Sequence, residues 1–388
     1  VTAEVVPLQH ASEIQRFAER LLTSVLHDGA VPDTYTYSDF TCSPIGLWLA
    51  LSAVASGAKS ETARQLRDLL GVAGPEAASA VTEVTAQLAQ TEGVAAATGV
   101  WSRTPIYRDY RERLPDVGFG HLDPADVSAI DAWVRKATNG SIRELPDRPN
   151  GDELLLLVSA LQLAGEWASP RFELQKTTDQ VFTDVQGTEH LVPTMATTLP
   201  RPSYAWTVEA PSGKAEDEVD VVALLCTAEP GRLPLQVSCV LGAPGRGPAD
   251  VLPAAWSAHE RRRPIDADQV TVALPRLHLH TRLQAERLLA SLGAPLAGSG
   301  LADFSGMSPE PLRVDRLIQE SVLRIDEEGV RAEAITQVWK SSRGRGLGAE
   351  RIRHIAFNRP FGLVVFAGST GLPLFTAWQA SAPRSPYL

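Results

Sequence analysis

His278 and His280 stand two apart in PRLHLHTR, the spacing that sets two imidazoles on one face of a strand. Two such rings are the beginning of a metal site. No third ligand stands at a matching spacing, and the plainer reading is a solvent-facing pair alternating with Leu277 and Leu279. The run from Gly344 to Gly348, GRGLG, has the glycines of a phosphate cradle. It lacks the preceding buried strand and following helix that a cradle needs. Cys42, Cys226 and Cys239 are too few and too odd in number for a disulfide framework or a zinc site. Cys226 and Cys239 fall in apolar, strand-like runs and read as buried free thiols. There is no G-x-S-x-G elbow, no Walker loop and no G-x-G-x-x-G opening a helix. No metal, no cofactor and no enzyme activity are expected.

A different kind of signal stands near the end of the chain. From Ile325 to Pro360 the chain reads IDEEGVRAEAITQVWKSSRGRGLGAERIRHIAFNRP. Val330, Ala332, Ala334, Thr336 and Val338 alternate with Arg331, Glu333, Ile335, Gln337 and Trp339. The first set is small and almost wholly apolar, as a strand lying over a core requires. The segment nevertheless opens on Glu-Glu-Gly and ends in SSRGRGLG, a composition that reads as mobile and open to proteases. A potential strand presented as a loop points to a conformational switch. The same residues are good helix formers, so an ordinary surface helix or hairpin is the competing reading.

The 388 residues are 44% hydrophobic and 21% charged, enough for one large core or two domains. A formal charge of −10 argues against nonspecific binding to nucleic acid or anionic membrane. No run of 18 apolar residues occurs. VTAEVVPLQHASEI has no basic flank or hydrophobic signal core, so a cytoplasmic location is favoured over secretion, with a signal removed earlier as the alternative.

Helical periodicity covers 11–28, 45–55, 59–70, 77–88 and 130–136, with a short helix at 107–114 and a late one at 283–292. Ser43-Pro44 starts the second, which is apolar nearly all round and therefore buried. The run 154–164 reads as a strand covered on both faces. Beyond 180, strands dominate: 181–185, 203–209, 219–226, 235–241, 270–274, 276–280, 321–325 and 361–366. Helices first and then strands, without βαβ alternation, predict an α+β fold.

An ordered set of segments resembles the serpin family. They are Phe40-Thr41-Cys42-Ser43-Pro44-Ile45, Ala55 to Thr62, and Ile130, Trp133, Val134, Thr138, Asn139, Gly140 and Ile142. There follow Leu157-Val158-Ser159-Ala160 with Gly165-Glu166-Trp167 and Phe172, Val192-Pro193-Thr194-Met195, and Leu274-Pro275-Arg276-Leu277. Phe357-Asn358-Arg359-Pro360-Phe361 and Pro373-Leu374-Phe375 close the set, and 200–265 matches least.

The resemblance implies one domain over 1–388, three β-sheets, about nine helices and an exposed reactive-centre loop at about 327–357. It implies a suicide-substrate inhibitor, monomeric, whose partner is a serine protease. In the family that loop is cut, and its upstream part inserts into the main sheet as a strand. The hinge would comprise Glu327, Gly329, Val330, Ala332, Ala334 and Thr336. Glu327 with Arg276 and Trp167 would form the breach at the top of the sheet, a surface ion pair of little energetic weight. Sixteen positions after Glu327 is Arg343, which makes Arg343–Gly344 the reactive bond; a longer register gives Arg345–Gly346. Arginine there suits a trypsin-like or other Arg-specific protease.

The chain also departs from the family. Arg331 and Glu333 interrupt a hinge of small residues, though on the outer face. The shutter positions usually Ser, Asn and His are Gly46, Ser159 and Gln319, while Ser43 remains. Ala164 replaces a lysine, and no basic helix for a heparin-type activator stands near 75–92. These departures favour the alternative, a non-inhibitory serpin-fold protein with a binding, chaperone-like or recruited biosynthetic role. Abundant Ala, Arg, Leu and Pro with little Lys and Met point to a GC-rich bacterial source.

Overall fold

The fifteen residues Leu155–Ser169 form the central strand, covered on both faces from Leu155 to Leu161, with Ala164 and Glu166 exposed above. Leu155, Leu157, Leu161 and Leu163 join the main core, while Leu156 and Val158 pack on the opposite face with Ile130 and Val134. Side chains alternate across a strand, so a continuous apolar run is what two covered faces demand. The computed structural model describes residues 10–27, 39–123, 125–137, 149, 151–209, 218–257, 259–331, 351–368 and 371–384.

On one edge the central strand pairs antiparallel with Val94–Ser102, which pairs parallel with Val117–His121. On the other edge lie Arg316–Ile325, in parallel register, and the short strand Gly329–Arg331. Leu277–Gln284 completes this main sheet beside Arg316–Ile325. A second array runs Phe40–Cys42, Pro373–Gln379, Phe361–Ala367, Leu235–Leu241, Val219–Cys226, Ala205–Val208 and Arg262–Pro264. The top of the central strand joins it through Trp167 opposite Cys226 and Ser169 opposite Leu225. A separate sheet orders Ile352–Ala356, Gln269–Pro275, Glu189–Thr198 and Thr178–Thr183.

The helix Pro44–Ala55 is buried along its whole length beneath the central strand. Ser43 caps it by accepting the Gly46 N–H, and Pro44 takes the first turn, where its missing N–H costs nothing. Ala11–His27, Ser60–Leu70, Pro75–Ala89 and Arg108–Glu112 stand where periodicity places them. Ser128–Ala137 lies across the outer face of the main sheet. Two expectations change. The expected helix at 283–292 is instead strand as far as Gln284, then a single 3-10 turn, Ala285–Leu288. Ladder pairing of Leu283 with Gln319 and Gln284 with Ile318 holds that backbone extended. Among the described residues six α-helices reach five residues, fewer than nine; several connections are 3-10 turns instead.

Candidate hinge and sheet opening

Arg316–Ile325 climbs beside the central strand, and Asp326 to Gly329 turn the chain back. Asp326 N–H donates to the Gly329 carbonyl at 3.1 Å, and Gly329 N–H returns a bond to Asp326 at 3.3 Å. The Asp326 carboxylate accepts Glu328 N–H at 2.9 Å, which fixes the tight turn. The returning strand enters the main sheet. Val330 pairs with Gly165 on one side and Ile325 on the other, and its side chain is fully buried.

The seam below is incompletely zipped. Leu156–Ala160 pairs with Arg316–Glu320 at the base. Pairing across the seam stops at Ala160 and Glu320 and resumes only through Arg331, opposite Ala164 and Arg324. Three positions on each flank, 161–163 and 321–323, border the interval.

Glu327 sits at the apex of the turn and meets Arg276 as the resemblance implies. Arg276 Nε lies 3.0 Å from both carboxylate oxygens and Nη2 2.7 Å from Oε1. The side chains are only 14% and 8% exposed, so the expectation of a weak surface pair is corrected. Both charges are largely desolvated, and removing either takes a close partner from the other. Trp167 is buried beneath; its Nε1–H donates to Asp326 O at 2.8 Å and its ring meets Phe172 edge-on at 5.8 Å. Thr177, whose hydroxyl donates to Glu327 Oε1, has no counterpart in the sequence reading.

The shutter residues also come together. Ser159 and Gln319 are opposite one another at the zipped base of the seam. The Gln319 amide clasps one residue at two points: Oε1 accepts Ser43 N–H and Nε2 donates to Ser43 O, both at 2.8 Å. Ser43 Oγ donates to Leu374 O at 2.8 Å. A Cβ at Gly46 would lie 2.3 Å from Ser159 Oγ, so glycine makes the room this knot occupies.

Below the base lies a polar cleft of about 330 Å³ lined by Asp152, Glu153, Glu286, Arg313, Asp315 and Arg316. Glu286 accepts Leu317 N–H at 3.0 Å, and burial holds its carboxyl above the usual range. Asp315 accepts Leu154 N–H at 2.7 Å, while Glu153 meets Arg316 at 2.8 Å.

Further along the chain, Arg351 bonds both oxygens of Asp266 at 2.8 Å and also reaches Asp268. Its carbonyl accepts Asp268 N–H, which starts the parallel pairing of Ile352–Ala356 with Gln269–Pro275. Ala332, Ala334, Thr336, Arg343, Gly344, Arg345 and Gly346 lie outside the described residues. His278 and His280 do share one exposed strand face, and His280 bonds Glu320 at 2.6 Å. Among the described residues no group of three or more His, Cys, Asp or Glu is arranged to hold a metal ion. All three cysteines are buried and free; burial pushes the Cys42 and Cys226 thiols up to about 12.

A family model described as Serpin (serine protease inhibitor) matches residues 13–380. Alpha-2-antiplasmin of Bos taurus is 28% identical over 367 residues, which cover 89% of this chain and 68% of that protein. Serpin-ZXA of Oryza sativa subsp. japonica is 27% identical over 396 residues, covering 92% and 94%. Among solved structures, human thyroxine-binding globulin superposes with a TM-score of 0.77 at 18% identity, covering 97% and 99%. Serpin48 of the insect Tenebrio molitor gives 0.76 at 20% identity, covering 98% and 100%.

Proposed function

The chain belongs to the serpin family, and on that premise we propose that it traps an Arg-specific serine protease as a suicide substrate. The observation that carries this reading is the hinge strand Gly329–Arg331, seated in the mouth of a seam whose pairing is interrupted just below it. Continuing the same register would bring Ala332 between Leu163 and Leu323, and Ala334 between Leu161 and Ser321. Thr336 would arrive between Ser159 and Gln319. Each would share the face of Val330, where small side chains are required. Arg331 and Glu333 would take the outer face and leave the core undisturbed.

In this reading the protease serine attacks the carbonyl carbon of Arg343. The Arg343–Gly344 bond breaks, Gly344 leaves as a free amine, and Arg343 remains as an ester on the enzyme. The freed upstream segment enters the seam as a new strand. About ten ladder bonds at roughly 1 kcal/mol each, with apolar burial, favour insertion. The tethered protease is carried off before water hydrolyses the ester, which is kinetic trapping from a metastable native state. Arg351, clamped by Asp266 and Asp268, supports the idea that the downstream flank stays on its sheet.

The test is to mix the protein with trypsin and follow it by denaturing gel and mass spectrometry. A complex stable to denaturant, with a released peptide starting at Gly344, is the expected result; a peptide starting at Gly346 moves the bond to Arg345. Clean cleavage without complex, and no gain in heat stability, overturns the reading. That outcome would favour a non-inhibitory role, for which the Gln319 clasp on Ser43 is the motivating observation: it ties the seam strand to the buried helix.

A further inference from the structure

The polar cleft below the base of the seam holds four carboxylates, Asp152, Glu153, Glu286 and Asp315, against two guanidiniums, Arg313 and Arg316. Two of its acids staple the flanks of the seam together. Asp315, at the foot of Arg316–Ile325, accepts Leu154 N–H at 2.7 Å and Leu155 N–H at 3.3 Å on the central-strand side. In the opposite sense, Glu153 Oε1 accepts a bond from Arg316 Nε at 2.8 Å. Glu153 is only 6% exposed, and its second oxygen is buried without a hydrogen-bond partner among the described residues. Part of a buried carboxylate is thus left uncompensated, which is unfavourable.

A strand admitted at this place would pull the staples apart. Paired strands lie about 4.8 Å apart, so a strand between them moves the flanks to about twice that distance. Glu153 would leave Arg316, and Asp315 would leave Leu154 and Leu155. Two desolvated carboxylates would then face the incoming strand and need a cation.

The chain carries one at the matching position. Val330 is opposite Gly165 on one flank and Ile325 on the other, antiparallel to both. Continuing that register would bring residue 340 between Leu155 and Asp315, and residue 342 between Glu153 and Arg313. Residue 340 is Lys340, which lies outside the described residues. It has the parity of Val330, so an inserted strand would turn it to the core side together with Ala332, Ala334, Thr336 and Val338. Those four are small or aliphatic, and Lys340 breaks the row with a charge. Its place in the row is where the cleft supplies carboxylates, Asp315 directly across and Glu153 on the diagonal.

We propose that this cleft is an ammonium-binding site whose ligand is Lys340 of the chain's own cleaved loop. Asp315 and Glu153 would exchange their staple contacts for the lysine and so fix the depth to which the strand inserts. This rests on the inhibitory reading and specifies its last contact. Lys340 precedes both Arg343 and Arg345, so the assignment holds for either reactive bond.

The test uses an Arg-specific cysteine protease, which leaves Lys340 internal, to prepare the cleaved protein. Heat denaturation in urea then compares cleaved and intact forms. Lys340→Glu should lower the midpoint of the cleaved form by about 2–4 °C and leave the intact form at the wild-type value. Lys340→Arg should keep the wild-type midpoint in both. A carbodiimide, which joins an amine to a carboxylate in contact with it, should link Lys340 to Asp315 or Glu153 in the cleaved form and not in the intact form, read by peptide mass spectrometry. If cleaved wild type gains heat stability while Lys340→Glu changes nothing and no link forms, the ammonium site is overturned and insertion stands. If cleaved wild type gains no heat stability, insertion fails, and the inhibitory reading is overturned together with the site.

Discussion

Gly329 faces the Gly165 carbonyl so closely that a Cβ at position 329 would lie 1.8 Å from its oxygen. Its φ of +156° is also rarely adopted by residues with a side chain. Backbone meets backbone here, so no flexible side chain can give way. Gly329→Ala should therefore unseat the hinge strand, at a cost of about 1–3 kcal/mol. Thermal melting should show the loss, and trypsin should turn the variant over as a substrate. An unchanged melting temperature would mean that the hinge is not held at this contact.

Ala334 tests insertion itself. The register at Val330 and Arg331 would bring residue 334 beside Leu161 and Ser321, on the buried face. An arginine arriving there would need a burial that no nearby partner compensates. Ala334→Arg should leave the native melting temperature within about 0.5 kcal/mol equivalent and yet abolish the trypsin complex in favour of cleavage. Undiminished complex formation would exclude insertion in this register.

What the sequence displayed depended on how local the cause was. Ser43-Pro44 and the apolar run from Leu154 announced a capped helix and a strand doubly covered as far as Leu161, because cap and burial pattern are written in neighbouring residues; Ala164, at the end of that run, is exposed. Thr177 gave no such sign, since its partner Glu327 is 150 residues away. Val117–His121 reads poorly as a strand because of Gly118 and Gly120; those glycines answer to Trp133 and Trp101, not to their own backbone. The residues 283–292 carry helix formers, and strand pairing with Ile318 and Gln319 prevails over that propensity at their start.

The Arg276–Glu327 pair is buried enough to be expensive to break. Glu327→Ala or Arg276→Ala alone should cost about 3–5 kcal/mol, because each takes from a largely buried charge the partner that meets it at 2.7 Å. Removing both should cost clearly less than the sum of the two. A double-mutant cycle by chemical denaturation measures this coupling. Additive losses would show that the pair acts as two independent side chains.

Glu286 predicts a pH effect with a definite sign. Burial raises its carboxyl above the usual range, so the folded protein binds its proton more readily than the unfolded chain. Its contribution is then most favourable below the ordinary carboxylate pKa and is lost as pH rises through the raised value. Glu286→Gln keeps an acceptor for Leu317 N–H and removes the charge. It should raise the melting temperature at neutral pH, with the gain shrinking as pH falls. A variant less stable than wild type at neutral pH would show that the charge, held near Arg316 and Arg287, is stabilising instead.

The knot beneath the seam makes a prediction about compensation. A methyl at Gly46 would lie 2.3 Å from Ser159 Oγ and 3.2 Å from Gln319 Nε2. Gly46→Ala alone should overpack the site and cost about 1–3 kcal/mol, despite alanine's better helix propensity. Ser159→Ala alone should cost little, since among the described residues no partner holds that hydroxyl as Ser43 is held by Gln319 and Leu374. The double variant should regain most of the loss, because removing Oγ clears the space the new methyl needs. Because Ser159 and Gln319 are opposite one another where the seam is zipped, the single variant should also open more readily. Faster conversion of the uncleaved protein to a heat-stable form, reversed in the double variant, is the expected kinetic signature. Equal conversion rates in all three would separate packing at Gly46 from the opening of the sheet.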